Sequence, residues 1–284
     1  MVRLPSWLHK FLSAGKGASD TAHSIKKRGL CTVCEEARCP NLPECYRQKR
    51  ATFLLLGSQC TRSCGFCSVG FSSSPAPPDP EEPRRIAEYC KENKLQHIVL
   101  TMVTRDDLQD GGSAHLVEVM RQVRFLLPGA GCELLTSDFA GLWPPVLAIL
   151  DEYPEVFAHN IETVRSLSPR VRCKATYDGS LALLKRVKKE RPKQVTKSSL
   201  MLGLGEAKEE VFEAIEDLAG AGVDMITIGQ YLQPTSKQLA VKEWIHPDLF
   251  SEYGQRAKKS GIKGAMVGPF VRSSYAAKPL RRKA

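Results

Sequence analysis

Short runs of β-branched and apolar residues alternate along the chain with amphipathic stretches of helical period. The runs are Ala51–Leu56, His97–Val103, Cys132–Thr136, Val156–Ile161, Ser198–Leu204, Asp224–Ile228 and Ile262–Val267. Most are separated by helical patterns of about ten to fifteen residues. In Glu206–Gly220, Val211, Phe212, Ile215, Leu218 and Ala219 share one face, and Gly220 and Gly222 supply the stop. In Pro247–Ser260 the face is Leu249, Phe250, Tyr253 and Ala257. Strand–helix repetition with short connections predicts parallel strands joined by crossovers. The fold class expected is α/β, a partial (βα)6-type barrel with its functional groups where strands end. A doubly wound open sheet has the same periodicity. Ser72 to Pro83 is too rich in proline for either element and reads as an exposed connector.

Composition adds that the 284 residues, 42% hydrophobic and 25% charged, can bury a core. No run approaches the roughly 20 apolar residues of a membrane span, and no secretory signal is legible at the N-terminus. A cytoplasmic protein is therefore expected. The formal charge of +10 suggests nucleic acid until it is located. Half of it falls in residues 1–30 and half in residues 271–284, while the 240 residues between carry 30 basic and 30 acidic side chains. A neutral body excludes the basic groove of a duplex binder.

Cysteine changes the picture most. Seven of the ten cysteines lie between residues 31 and 67; Cys90, Cys132 and Cys173 are scattered and read as small buried hydrophobes. Cys60, Cys64 and Cys67 form a C-x3-C-x2-C loop just after the strand Ala51–Leu56. Three thiolates on one tight loop suit three irons of a cubane cluster and leave the fourth iron open to a small ligand. Gly65 lets backbone pass close to such a cluster. This loop, at the end of the first strand of a (βα) protein, resembles the radical S-adenosylmethionine (SAM) superfamily. Cys34, Cys39 and Cys45 form a second triplet, C-x4-C-x5-C, that matches neither zinc-finger nor ferredoxin spacing. The block from Val33 to Cys45 (VCEEARCPNLPEC) resembles the lipoyl synthase family. So do Arg105–Gly112 (RDDLQDGG), His159–Glu162 (HNIE), Lys197–Glu206 (KSSLMLGLGE), Gly229–Pro234 (GQYLQP) and Gly268–Tyr275 (GPFVRSSY).

The resemblance implies an enzyme that inserts two sulfur atoms, at C6 and C8, into an octanoyl chain on a lysine of a carrier protein, giving the lipoyl group. It implies two [4Fe–4S] clusters and two molecules of SAM per lipoyl group. Cys60, Cys64 and Cys67 would hold the SAM-cleaving cluster. Cys34, Cys39, Cys45 and Ser273 would hold an auxiliary cluster that gives up its sulfur. Serine is a hard ligand for that iron, suited to release, and Arg272 beside it would offset cluster charge. The implied partners are octanoylated lipoyl-carrier domains of 2-oxoacid dehydrogenase complexes or glycine cleavage H protein. A reduced ferredoxin or flavodoxin-type electron donor and an iron–sulfur carrier for cluster repair are also implied, and the chain is expected to be a monomer. An unactivated C–H bond is beyond any general base, and the chain shows no G-x-S-x-G elbow, H-E-x-x-H or Walker loop.

SAM contacts are expected from Asn160 and Glu162, at a strand end, and from Gly203, Gly205 and Glu206 at the next; a strand-end cap and an ordinary glycine turn are the bland readings. Asp106, Asp107 and Asp110 either order the cofactor's amino group or cap the helix that begins near Ser113. His9, His23, His97, His115 and His246 read as incidental. Cys31 departs from the family pattern and makes C-x2-C with Cys34. The segments Lys174–Gly179 (KATYDG) and Leu134–Asp138 (LLTSD) also depart, so no role is carried to them. The organisation expected is an N-terminal extension over residues 1–50, a barrel core over 51–260 and a C-terminal segment over 261–284, the two ends closing over the auxiliary cluster. A basic collar there would speed encounter with an acidic carrier; disordered solubilising tails are the alternative. Two rival functions remain. Another radical SAM sulfur-inserting enzyme, a methylthiotransferase or biotin synthase-like protein, would leave the second triplet and the R-S-S-Y tail unexplained. A zinc-stapled binding module pairing Cys31 and Cys34 with Cys64 and Cys67 would leave Cys39, Cys45 and Cys60 idle.

Overall fold

The computed structural model describes residues 4–9 and 16–274. Tyr275 and the basic segment Lys278–Ala284 lie outside the described residues, as do Arg3 and Lys10. The chain divides into two compact units, each of which has its own core. One holds the described residues of Leu12–Ser63 and Cys67–Phe157; the other holds those of Met1–Phe11, Cys64–Phe66 and Ala158–Ala284.

The first unit opens with three helices, α1 (Lys16–Lys27), α2 (Val33–Glu36) and α3 (Leu42–Arg47). Its strands are β1 (Thr52–Leu55), β2 (Gln59–Cys60), β3 (Gly70–Phe71), β4 (His97–Met102) and β5 (Gly131–Leu135). The helices α4 (Glu82–Glu92), α5 (Ser113–Leu126) and α6 (Trp143–Leu150) follow strands in turn. β1 pairs parallel with β4 in the register Thr52 to Val99, and β4 pairs parallel with β5 in the register His97 to Gly131. The buried residues Phe53, Leu55, Ile98, Leu100 and Leu134 sit on these strands, and Ile86, Leu116 and Val146 are buried on the helices. β6 (Val156–Ala158) falls at the junction of the two units.

The second unit carries α7 (Ser168–Val171), α8 (Tyr177–Glu190), β7 (Thr196–Leu202), α9 (Lys208–Gly220), β8 (Met225–Gln230), α10 (Pro247–Lys259) and β9 (Gly264–Gly268). Its strands run in the parallel order β7–β8–β9, with Lys197 opposite Met225 and Met225 opposite Gly264. Ile161, Leu184, Leu200, Ile215, Leu218, Ile226, Ile228 and Phe250 form its core. Apart from the small β2–β3 pair, the strands within each unit neighbour one another in chain order, with a helix between the paired strands β1–β4, β4–β5, β7–β8 and β8–β9. That is the winding of a (βα) barrel segment; a doubly wound sheet would reverse its order.

All seven expected strands form, with shifted ends. The expected strand Val156–Ile161 stops at Ala158, and the chain meets β7 again only at Glu162, which takes a left-handed backbone at φ 66° and bridges Leu200. The strand expected from Ser198 begins at Thr196, whose N–H and hydroxyl both bond Asp224, and it ends where Gly203 turns with φ 99°. Helix α9 starts at Lys208 and not at Glu206, because the Glu206 carboxylate accepts from the Gly203 and Leu204 N–H groups in the turn before it. Glu210 then accepts from the Ala207 N–H at 2.7 Å, closing the helix start.

Candidate active site

The first thiol loop leaves β1 through a left-handed turn at Leu56 and Gly57. It is closed by the short parallel pair β2–β3, which sets Cys60 beside Phe71. Within the first unit, Thr61 donates its N–H and its hydroxyl to the Thr104 carbonyl, both at 3.0 Å, and its hydroxyl oxygen accepts from the Asp106 N–H at 2.9 Å. The Arg62 side chain is buried between Asp106 and Asp138, and its backbone N–H donates to Cys60 Sγ at 3.4 Å. Within the second unit, Cys64 Sγ accepts from the Cys173 N–H at 3.3 Å. Gly65 donates to the Val171 carbonyl at 2.9 Å and accepts from the Leu239 N–H at 2.8 Å. A Cβ at Gly65 would stand 3.0 Å from two carbons of Leu239 and 3.4 Å from the Arg170 carbonyl. Val171, Leu204 and Tyr231, with Phe66 and Leu239, form a small apolar cluster behind it. Backbone N–H groups aimed at thiolate sulfur are what an iron–sulfur site uses to tune its cluster.

The second thiol block is stitched into the first unit by its own turns. Thr32 caps α2, accepting from the Glu35 N–H, and pairs with Phe53 of β1. Cys39 donates its N–H to the Cys34 carbonyl, Leu42 donates to the Cys39 carbonyl, and Cys45 donates to the Asn41 carbonyl and accepts from the Arg50 N–H. The wholly buried Tyr46 exchanges a hydroxyl bond of 2.8 Å with Thr32, and its carbonyl accepts from Thr21 of α1. Burial pushes the Cys34 thiol up to about 12, and the charges of Cys39 and Cys45 add to the rise. A thiol held protonated by burial and by neighbouring thiols fits a cationic iron cluster, which restores it as a thiolate. The Ser68 hydroxyl, one residue past Cys67, donates to the Glu36 carbonyl at 2.5 Å and so ties the two blocks together inside this unit.

All ten cysteines are free thiols. Among the described residues no three His, Cys, Asp or Glu side chains stand close enough to hold one metal ion; a cubane makes no such demand, since each thiolate binds a different iron. Cys90 and Cys132 are buried, as the sequence suggests, whereas Cys173 is half-buried and lies against Cys64. Cys31 is half-buried, and burial with the nearby charges of Glu82, Glu36 and Glu35 pushes its thiol up.

Asn160 and Glu162 stand together in the second unit, Asn160 Nδ2 donating to Glu162 Oε1 at 3.0 Å. Asn160 Oδ1 is buried without a hydrogen-bond partner. Burial pushes the Glu162 carboxyl above the usual range, opposed by Arg172 and Asn160. Left-handed backbone, a raised carboxyl and an unpartnered amide oxygen thus meet in one turn, features that cluster at functional sites. His159 instead bonds Ser180, which also accepts from Arg172. Gly203 and Gly205 both have left-handed backbone. The side of Gly203 that a Cβ would occupy is filled by Gln230 Nε2 at 2.2 Å and the Glu243 carbonyl at 2.5 Å, whereas Gly205 meets only Lys242 at 3.7 Å. Both Glu206 oxygens brace this turn. Asp110 caps α5, accepting from Gly112 and Ala114 N–H at 2.9 and 2.8 Å, while Asp107 pairs with Arg105 and Asp106 with Arg62. The capping reading holds for Asp110. His97 and His115 pair with Glu155 and Glu82, and His246 stacks edge-on against Trp7.

Ser273 is half-buried in the turn after β9. That segment presses on β8: a Cβ at Gly229 would stand 2.1 Å from the Val271 carbonyl oxygen. The Arg272 guanidinium bonds the Val271 and Pro269 carbonyls of its own turn. Sequence reasoning missed Arg62, Cys173, Leu239 and Gly229. Only the adjacency of basic and acidic residues in the C-T-R and R-D-D motifs hints at the first.

Comparison with known proteins agrees. The Radical SAM superfamily model matches residues 54–218. A lipoyl synthase of Protochlamydia amoebophila is 50% identical over 275 residues, which cover 96% of this chain and 85% of that protein. A lipoyl synthase of Chlorobaculum tepidum is 48% identical over 95% of this chain and 93% of its own length, and one of Chlamydia trachomatis serovar L2 is 46% identical over 96% and 88%. Among solved structures, HydG, a maturase of the [FeFe]-hydrogenase, superposes with a TM-score of 0.61 at 15% identity over 87% of this chain and 63% of its own. The coproporphyrinogen III oxidase HemN of Escherichia coli, a radical SAM enzyme, superposes with a TM-score of 0.53 at 13% identity over 73% and 52%. Fold and thiol loop thus define the class as radical SAM. Within that superfamily the chain belongs to the lipoyl synthase family. It is an enzyme, and its cofactors are SAM and two [4Fe–4S] clusters. No helix among the described residues is long and apolar enough to cross a membrane.

Proposed function

We propose that this chain inserts sulfur at C6 and C8 of an octanoyl-lysine presented by a carrier protein. Cys60, Cys64 and Cys67 hold the SAM-cleaving cluster; Cys34, Cys39, Cys45 and Ser273 hold the auxiliary one. When bound, SAM and its cluster supply a hydrogen-abstracting radical, and the second cluster supplies sulfur. The protein's part is to hold and to exclude. Arg62 and Cys173 N–H groups stabilise two thiolates, and the Val171–Leu204–Tyr231 cluster keeps water from one side of the loop. Asn160 and Glu162 offer the SAM a polar pocket whose amide oxygen still needs a donor, and the Gly203–Glu206 turn passes backbone beside them. Ser273 would contribute a hard oxygen ligand, weaker toward iron than a thiolate.

The observation that carries this reading is the Ser68 to Glu36 bond, which seats the second thiol block against the first within one unit. Sulfur transfer to a carbon radical requires the two donor sets to be neighbours. On the finer points, a reduced ferredoxin or flavodoxin-type protein supplies electrons, and an iron–sulfur carrier restores the spent cluster. The test is anaerobic protein with reductant, SAM and an octanoyl-lysine peptide, read by mass spectrometry. Intact protein should hold about eight irons and form the monothiolated and then the lipoyl product. Replacing Cys34, Cys39 and Cys45 with alanine should halve the iron, keep SAM cleavage and abolish sulfur insertion. Lipoyl product from that triple variant would refute the assignment.

A further inference from the structure

Arg62 lies between two thiols of the SAM-cleaving loop, yet its side chain is only 5% exposed. Each of its three guanidinium nitrogens is engaged. Nε and Nη2 form a fork on Asp106 at 2.9 and 2.7 Å, and Nη1 meets Asp138 Oδ1 at 2.8 Å. The two aspartates come from the loops that follow β4 and β5. Thr61, next to Arg62, is tied to the same Asp106 through its hydroxyl and the Asp106 N–H. The loop is thus fastened at two successive residues to the ends of two neighbouring strands. Its anchored residue turns its own N–H to Cys60 Sγ.

A buried ion group costs desolvation that apolar packing would avoid, so its location at a thiol loop calls for a role there. Two consequences follow from its chemistry. A planar fork fixed at three points holds the backbone of Arg62 in one orientation, which a lysine's single ammonium cannot do. One guanidinium between two carboxylates leaves a net negative charge of one beside the loop. A negative charge in a poorly screened place disfavours adding an electron nearby.

We propose that Arg62 is a positioning residue for the SAM-cleaving cluster, and that the Arg62–Asp106–Asp138 group both aims the N–H···S bond at Cys60 and holds the cluster's reduction potential low. A low potential makes the reduced cluster a stronger reductant toward SAM. The inference rests on the reading that Cys60, Cys64 and Cys67 hold that cluster.

The two effects are separable. Asp138→Asn keeps the shape and removes one charge; Arg62→Lys keeps the charge and loses the fork. Full-length holoprotein is reduced anaerobically, and the electron paramagnetic resonance signal that changes on adding SAM is followed during a redox titration. Asp138→Asn should raise the midpoint potential of that signal while leaving the iron content unchanged. Arg62→Lys should alter its g-values and slow SAM cleavage about tenfold or more. Should the lysine variant misfold, the near-isosteric asparagine variant carries the test alone. Wild-type potential and g-values in both variants would overturn the proposal. Wild-type protein with no SAM-responsive four-iron signal would instead overturn the underlying cluster assignment.

Discussion

Gly229→Ala is the sharpest test of where the serine-bearing segment sits. Gly229 lies in β8, paired with Gly268 of β9, and its backbone has no left-handed twist that would itself demand glycine. The constraint is contact alone. An added Cβ would stand 2.1 Å from the Val271 oxygen and 3.0 Å from its carbon. Carbon and oxygen without a bond between them settle near 3.2 to 3.4 Å, so the Val271 carbonyl must retreat by about 1 Å. Ser273 is two residues further on and moves with it. A shift of about 1 Å in a reacting assembly costs about a hundredfold in rate. The cysteine triplets are on other segments and should stay in place. We expect Gly229→Ala protein to load iron and cleave SAM near the wild-type rate, while forming lipoyl product about a hundredfold more slowly. Quantifying 5′-deoxyadenosine and lipoyl-lysine in the same anaerobic reactions separates the two. Gly129→Ala, where nothing lies within 4 Å of the new carbon, is the matched control. Wild-type product formation by Gly229→Ala would show that the segment does not place a working ligand.

Other expectations follow from the same geometry. Glu162→Gln should keep full iron content and weaken SAM binding, measured by calorimetry on anaerobic protein. Because burial raises the Glu162 pKa, its stabilising effect is full below the unfolded value, about 4.3, and declines as pH rises through the folded one. The glutamine variant should lose that decline in urea midpoints taken across the range. Asp224 is the opposite case. Burial raises its pKa, but Lys263 and Lys188 outweigh that and hold the carboxyl below the ordinary range. Its contribution is present above that range and is lost as pH falls through the depressed value, so Asp224→Asn should lower stability at neutral pH and flatten the acid limb. Cys31→Ser should leave iron content and product formation unchanged; loss of four irons would make Cys31 a ligand. Gly220→Ala, at the open end of α9, should stabilise the fold by about 0.5–1 kcal/mol in urea unfolding.

Seven strands, the major helices and both thiol triplets were legible in the sequence, because each depends on local pattern. A strand needs only its own alternation or apolar run, and a helix needs its face repeating every three to four residues. The spacing of Cys60, Cys64 and Cys67 along the chain is covalent, so no tertiary contact is needed to recognise the loop. Even the acidic cap at Asp110 was one of two readings its position relative to Ser113 allowed. Element ends were less legible. Glu206 has a good helix-forming side chain, yet its carboxylate goes to the turn at Gly203 and Leu204, a choice made by burial and not by propensity. Cys173 reads like Cys90 and Cys132, and only the close approach of its N–H to Cys64 sets it apart.

The sequence by itself thus determined the thiols proposed as donors, their order and the strand-ends that carry them. The tertiary structure alone decided which distant groups serve those donors. Asp106 and Asp138 reach Arg62 because two parallel strands end side by side, and Gly229 must lack a side chain because the turn after β9 folds back on β8. The register between strands joined by a crossover is set by packing of whole faces, which no local window of residues encodes.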